Sequence, residues 1–550
     1  MTATASSPLE STDASRAGAR ASVRYTLTLG MAAASGFIAL SYEIVWYRAF
    51  AFVSWGHPTV FGLLLAFYLL GVALGAAGSR PFCKPRGDAP SEADDARALR
   101  ALAGFVFLAN VVGFVVVPAL GRFATTNWLP AFGLVALSAG LMGAVLPLVA
   151  HFGIAPDDRA GARLSYVYLA NIIGSSSGSF LTGFVLMDAW STREIGTFLA
   201  LVGFAMVAVL AFLAARKKPL VLGLSLAFVA ASAAGSVAAA PKLFDKLYER
   251  LLWKTKYHED AKLVHVVENR HGVIAVNDYN QVYGGGAYDG AFNVSLVDDK
   301  NVVERAFAVA AMHPSPKRVL MIGLSSGSWA QIISNLPGVE SVTIIEINPG
   351  YMELIRKYDA VKSLLSNPKV QIVVDDGRRW LLRHGSERFD FISMNTSYNW
   401  RAHSTNLLSR EFMDLARGHL LPGGILYFNT TSSNEAQKTA CVAYPHCLRV
   451  INFMAVSDSP FELDKARWRR VLTETKIDGK VALDPSKPNG KELLDRFMQF
   501  ADTADGPWVF SGLERRDAIL ARTQDVTVIT DDNMASEWLA RLKFPLVGDE

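Results

Sequence analysis

Cysteine is scarce: Cys83, Cys441 and Cys447 are the three in 550 residues. They suggest neither a disulfide framework nor a metal-binding spacing. HExxH, CxxC and Walker A patterns are absent, so no metal site is expected. A surplus of one charge is missing as well. The net charge of +4 offers a nucleic acid nothing to hold, so none is expected as a partner.

Apolar residues are what the chain has in excess, 51% of the total. The excess lies before residue 241, in seven runs at about 25–53, 59–79, 101–120, 128–150, 164–187, 195–214 and 219–240. Most reach the roughly 20 residues that cross a bilayer as helix. The first is too long, and wrongly flanked, for a cleaved signal peptide. Residues 1–24 are small, polar and weakly basic, and read as a disordered tail. Lys and Arg gather in 80–100, 151–163 and 214–218, which puts the amino terminus in the cytoplasm. Seven crossings would leave everything after 240 outside. The basic cluster Lys242, Lys246, Arg250, Lys254 and Lys256 argues for inside. The expectation is a multi-pass protein of the bacterial inner membrane with a cytoplasmic soluble domain, the weak run 219–240 failing to cross.

Within the first run, Arg48 stands near the end and reads as a snorkelling side chain. Glu43 is deeper, placed either to line a polar cavity or to make a structural hydrogen bond. Gly71/Gly75 and Gly174/Gly178 give GxxxG spacings that let helices pack closely, and Asn171 reads as an interhelical hydrogen bond.

The second half alternates strands and helices. Residues 262–300 read as a small antiparallel lobe with tight turns at Gly284-Gly285-Gly286 and Tyr288-Asp289-Gly290. Val319–Ile322 is a buried parallel strand, Gly323 and Gly327 bracket a turn into a short helix, and Val342–Ile345 is the next strand. Glu346 ends that strand, nineteen residues after Gly327. Glycines that admit a ligand, followed by an acid for ribose hydroxyls, make a nucleoside-binding βαβ unit. The same turn, Gly323-Leu324-Ser325-Ser326-Gly327, also matches the G-x-S-x-G nucleophile elbow. A doubly wound domain whose turn binds nothing is the plain alternative. Further strands end at Asp375-Asp376-Gly377 and at Asn395, so Glu346, Asp376 and Asn395 share the strand ends where open α/β sheets bind ligands.

The order G-x-S-S-G, E-I-N, D-D-G-R, N-T-S-Y-N-W, NLLSREF and LPGG resembles spermidine synthases (aminopropyltransferases), whose fold is the Rossmann-like one of S-adenosylmethionine-dependent methyltransferases. SGFIALSYEIVWYRAF, GAVLPL, YVYLANIIGSSSGSFLTG and TDDN at 530–533 resemble the membrane-fused members. The resemblance implies a polytopic helical membrane domain of about seven helices (25–240), a linker and small β lobe (241–300), a Rossmann-like domain (301–460) and a carboxy-terminal extension packing on it (461–550). It implies S-adenosylmethionine or its decarboxylated form as co-substrate. Glu346 would take the ribose, Asp376 the adenine with Gly377 beside it, and Gly323, Ser325, Ser326 and Gly327 the sulfonium side. Ser326 stands where the family has an acid for the ligand's amino group. Asn395 and Tyr398 stand where it has catalytic carboxylates, and a neutral Asn neither takes a proton near pH 7 nor attracts an ammonium. His403 is a candidate base. Arg401 could grip a carboxylate or phosphate. Asp289, Asp531, Asp532 and Glu43 complete the candidate acceptor-binding residues. The expected partners are a small-molecule or lipid-like acceptor, membrane lipid and a second copy of the chain. The function implied is a transferase with a non-polyamine acceptor. The alternatives are a methyltransferase and a non-catalytic transporter or ligand sensor.

Overall fold

The computed structural model describes residues 8–83, 92–299, 301–395, 398–498 and 513–534. Residues 1–7 of the expected tail, and Thr396 and Ser397 of the N-T-S-Y-N-W stretch, lie outside the described residues. The chain divides into two compact units. One is Met1–Val53, Val60–Glu259 and Glu268–Arg270, and the other Ser54–Thr59, Asp260–Val267 and His271–Glu550.

The first unit is helical. Its opening helix runs Pro8–Val53, so most of the expected tail is helix; a proline at the first helical position and an alanine-rich sequence favour it. Seven stretches are long and apolar enough to cross a membrane, from Ser22–Val53 to Pro219–Leu243. Both GxxxG pairs are packing surfaces. A Cβ on Gly174 would lie 1.9 Å from the Ala33 carbonyl oxygen, and one on Gly75 would lie 1.7 Å from that of Gly140. Asn171 donates to the Ala32 carbonyl at 3.1 Å. Glu43 is half-buried on the first helix. Arg48 does not snorkel. Its side chain is 5% exposed and paired with Glu268 at 3.2 Å, and Glu268 also accepts from the Thr192 backbone and the Tyr248 hydroxyl, each at 2.8 Å. A charge buried with this many partners is satisfied in place.

The second unit begins with a four-stranded sheet in the order β1 (Leu263–Asn269), β2 (Gly272–Asn277), β3 (Gln281–Gly284), β4 (Ala287–Ala291). Seven further strands follow: β5 (Arg318–Ile322), β6 (Ser341–Glu346), β7 (Val370–Val374), β8 (Phe389–Met394), β9 (Leu420–Asn429), β10 (His446–Val450) and β11 (Phe453–Ser457). They stand in the order β10-β11-β9-β8-β5-β6-β7, with the short strand Glu514–Arg515 beyond β10. Pairing is parallel from β9 to β7 and antiparallel at β9–β11 and β10–β11. This is an open Rossmann-like sheet, and its strand order reverses between β5 and β8, the place where such sheets bind ligands. One core covers each face. Phe307, Trp329 and Phe391 anchor the first, and Trp380, Phe412 and Phe428 the second. The described parts of the carboxy-terminal extension supply Trp468 to one core and Ile519 and Ile529 to the other.

The cysteines require a correction. Cys441 and Cys447 form a disulfide. The helix Asn434–Ala443 turns directly into β10 and brings their Cα atoms to 5.5 Å, within bridging distance. Cys83 is free.

Candidate functional site

At the end of β5 the chain turns through left-handed conformations, with φ of 94° at Gly323, 49° at Ser325 and 76° at Gly327. Glycine adopts these without strain. The nearest atom to a Cβ on Gly323 would be the Asn395 carbonyl oxygen at 4.0 Å, which leaves its face of the turn open. A Cβ on Gly327 would strike Ile355 at 2.8 Å.

Glu346 closes the neighbouring strand and holds this turn. Its two carboxylate oxygens accept the Leu324 and Asn348 backbone N–H groups, each at 2.7 Å. The side chain is buried. Burial pushes its carboxyl up to about 7, against the opposing pull of those backbone donors.

The small sheet delivers Asp289 to the same turn. The Ser325 hydroxyl donates to its carbonyl, and the Tyr351 hydroxyl to its carboxylate. Burial raises the Asp289 carboxyl, while Tyr351, the Arg401 cation and Ser325 oppose the rise. Arg401 lies against two glycine backbones. A Cβ on Gly285 would be 2.8 Å from its guanidinium, and one on Gly56 would be 3.3 Å away. Gly56 belongs to the turn Ser54–Thr59, which groups with this unit. Its carbonyl accepts the Ala402 N–H at 2.9 Å. Trp55 and His57 flank Trp400, with ring centroids at 6.2 and 6.1 Å.

The end of β8 carries Asn395, whose side-chain oxygen accepts from Asn429 at 3.1 Å. Tyr398 is half-buried. Burial raises its hydroxyl and Arg401 opposes the rise. Ser326 is buried and donates to the Ser328 hydroxyl at 3.0 Å.

The other candidates are placed differently. Asp376 caps the helix Gly377–Arg383, accepting the Arg379 N–H at 2.8 Å. Gly377 abuts the end of β5; a Cβ there would be 2.5 Å from Ile322. Asp531 grips Arg378 through both oxygens and accepts from Ser409 at 2.6 Å, while Asp532 is exposed. His403 is exposed, with φ at 68°. Glu43 lies in the helical unit. Thus the structure gathers Gly323–Gly327, Glu346, Asp289, Asn395, Tyr398 and Arg401 at the strand ends. It uses Asp376 and Asp531 as local anchors. Among the described residues no cluster of His, Cys, Asp or Glu is arranged to hold a metal.

Sequence reasoning missed Tyr351, Asn429, Asn452 and the turn Ser54–Thr59. Tyr351 had a signal, standing five residues past Glu346. The others carried none, because long-range pairing alone brings them in.

Part of the chain is similar to known proteins. Residues 306–456 match the spermine/spermidine synthase domain family. A spermidine synthase of Dictyostelium discoideum is 34% identical over 115 residues, 21% of this chain and 40% of that protein. A polyamine aminopropyltransferase of Mycobacterium tuberculosis is 24% identical over 428 residues, 74% of this chain and 77% of that one. The spermidine synthase structure from Thermotoga maritima is 18% identical, covers 42% of this chain and 88% of its own, and superposes with a TM-score of 0.32. The chain thus spans less than half of the Dictyostelium relative and about three quarters of the mycobacterial one. Residues 306–456 of its α/β half are thus similar to the spermine/spermidine synthase domain, and the sheet that carries them is Rossmann-like.

Proposed function

We propose that this chain is a membrane-anchored, spermidine synthase-like transferase. It binds S-adenosylmethionine or the decarboxylated form and passes a group to an acceptor other than a polyamine. The observation that carries the reading is Glu346, set beside an open glycine turn at the point where strand order reverses. The Leu324, Asn348 and Ser325 backbone N–H groups take three of the roughly four acceptor sites of its carboxylate, which leaves one for a ribose hydroxyl. Membrane anchoring is supported by apolar surface on the candidate spans: Leu220 and Leu224 are 76% and 64% exposed.

In this reading a nucleophile attacks a carbon bonded to the sulfonium. The carbon–sulfur bond breaks, its electron pair stays on sulfur, and a neutral thioether nucleoside leaves. Holding the two reactants in line supplies most of the rate. Asn395 and the Tyr398 hydroxyl, raised by burial, are poor bases near neutral pH. The acceptor therefore has to arrive as a nucleophile needing little deprotonation. A methyltransferase would use the same adenosine contacts, and a small-molecule or lipid-like acceptor suits either. A second reading, ligand binding without turnover, is favoured by the same neutral residues at the expected catalytic positions.

The test is incubation of the purified protein with each sulfonium compound and the small molecules that copurify with it, followed by mass spectrometry. Methylthioadenosine as product signifies transfer of the amino-acid-derived chain, and S-adenosylhomocysteine signifies methyl transfer. Putrescine with decarboxylated S-adenosylmethionine should yield no spermidine above background. Efficient spermidine formation would sink the non-polyamine assignment.

A further inference from the structure

The hydrogen bonds behind Asn395 run in one direction, and a residue that can only donate sets that direction. Arg305 is half-buried against Trp329 and Phe453, its guanidinium 5.8 and 5.1 Å from their ring centroids. It donates to the Asn452 side-chain oxygen at 2.8 Å. The Asn452 amide nitrogen then donates to the Asn429 oxygen at 2.9 Å, and the Asn429 nitrogen to the Asn395 oxygen at 3.1 Å. A guanidinium has no acceptor atom, so Asn452 must present its oxygen to Arg305. Its nitrogen is then the atom left for Asn429. The Asn429 oxygen is fixed a second time by the Thr431 N–H at 2.8 Å. Such a network settles amide orientation, which the electron-rich and electron-poor ends of an isolated amide would not. At its end, Asn395 has one acceptor site of its oxygen taken by Asn429, and its N–H₂ group has no partner among the described residues.

The backbone bears a cost to build this relay. Asn452 follows Ile451 at φ 57°, and Thr431 and Ser432 take φ of 46° and 65°. Left-handed conformations are unfavourable for side chains branched at Cβ.

We infer that the β8 strand end binds a carboxylate rather than an ammonium. This deepens the proposed nucleoside-binding reading and rests on it. Asn395 offers donor hydrogens, and the Arg401 guanidinium lies against Gly285, next to Gly284, whose face meets the Asp289 carboxylate. The nearby acid, Asp289, is engaged by Tyr351 and opposed by that same cation. A cationic amine would meet donors and a guanidinium, whereas a carboxylate would meet complementary groups. The carboxylate belongs either to the sulfonium donor, as in S-adenosylmethionine, or to the acceptor.

Calorimetry on the full-length protein in detergent distinguishes these. Methylthioadenosine, which lacks both the carboxylate and the aliphatic amine of the amino-acid-derived chain, first reports the adenosine site. In one arm S-adenosylmethionine is compared with its decarboxylated form. In the other, protein saturated with methylthioadenosine is titrated with glutarate and with putrescine. A preference for the carboxylate of about tenfold or more, the size of one hydrogen bond to a charged group, is expected in one arm. The first arm would assign the carboxylate to the donor, and the second to the acceptor. Asn395→Asp should abolish that preference. Asn452→Asp keeps Arg305 paired while offering Asn429 only acceptors, and should lower the preference at a distance. Tighter binding of the amine, or no preference in either arm, overturns the inference while leaving the nucleoside site intact. Failure of methylthioadenosine itself to bind overturns both.

Discussion

A single carboxyl group, that of Glu346, links the fold to its proposed ligand, and its behaviour with pH can be derived. Burial raises it to about 7, well above the unfolded value near 4.3. In the free protein the fold therefore favours the protonated form. The stability this contributes is fully present below the unfolded value and is lost as pH rises through about 7. Ribose hydroxyls need the ionised form as acceptor, so ligand binding expels the proton. Affinity for an S-adenosyl compound should consequently rise between pH 6 and 8, with proton release visible as a dependence of calorimetric heat on buffer. A flat affinity over that range would separate Glu346 from the ligand. Glu346→Ala should cost about 1.5–3 kcal/mol of binding free energy, the range for hydrogen bonds to a charged group. Equal affinity in mutant and wild type would remove it from the site. The role of Glu346 was legible because strand, glycine turn and acid are close in sequence. The relay behind Asn395 was not, because Asn429 and Asn452 reach it only through the antiparallel pairing of β9 with β11.

At the scale of elements, alternating apolar runs and turn residues foretold the parallel strands β5 to β8, and the pattern also found the small sheet. What it could not foretell was which polar side chains the elements would consume in holding one another. Asp376 illustrates this: its position at a strand end suggested adenine, yet one of its oxygens caps the following helix. Gly377 shows a second constraint, since the helix Gly377–Arg383 starts against the last residue of β5. Gly377→Ala should destabilise the second unit by about 1–3 kcal/mol through overpacking, measurable as a lowered denaturant midpoint. An unchanged midpoint would mean the helix start can shift. Asp531, expected near the acceptor, fastens the segment around Ile529 to Arg378 and Ser409. Arg378→Ala should speed hydrogen exchange across 528–534 while leaving exchange in β5 and β6 unchanged. Loss of protection in the whole sheet would assign that pair a global role.

At the scale of the molecule, the seven candidate spans bear on the side of a membrane on which the α/β unit would lie. The sequence expectation was cytoplasmic, with the run at 219–240 failing to cross. Two structural facts weigh against it. The turn Ser54–Thr59 groups with the α/β unit and accepts a backbone hydrogen bond from Ala402. Between that turn and Leu243 lie six candidate spans. An even number returns the chain to the face of the turn; an odd number would not. The disulfide Cys441–Cys447 is the second fact, because structural disulfides are rare in a reducing cytoplasm. Part of the basic flank is engaged locally: Lys246 reaches Glu259, and Arg250 lies over the Tyr257 ring at 5.4 Å. If the basic loops hold the amino terminus inside and all seven candidate spans cross, the α/β unit lies outside. An alkaline phosphatase fused after Glu550 should therefore be active and a fluorescent protein dark, with Cys441 and Cys447 resistant to thiol labelling until reduced. A dark phosphatase, a bright reporter and freely labelled cysteines would restore the cytoplasmic placement. The outcome bears directly on chemistry. S-adenosyl compounds are made inside the cell, so an external site needs a donor delivered through or across the membrane. Unless one is found, binding without turnover becomes the stronger of the two functional readings.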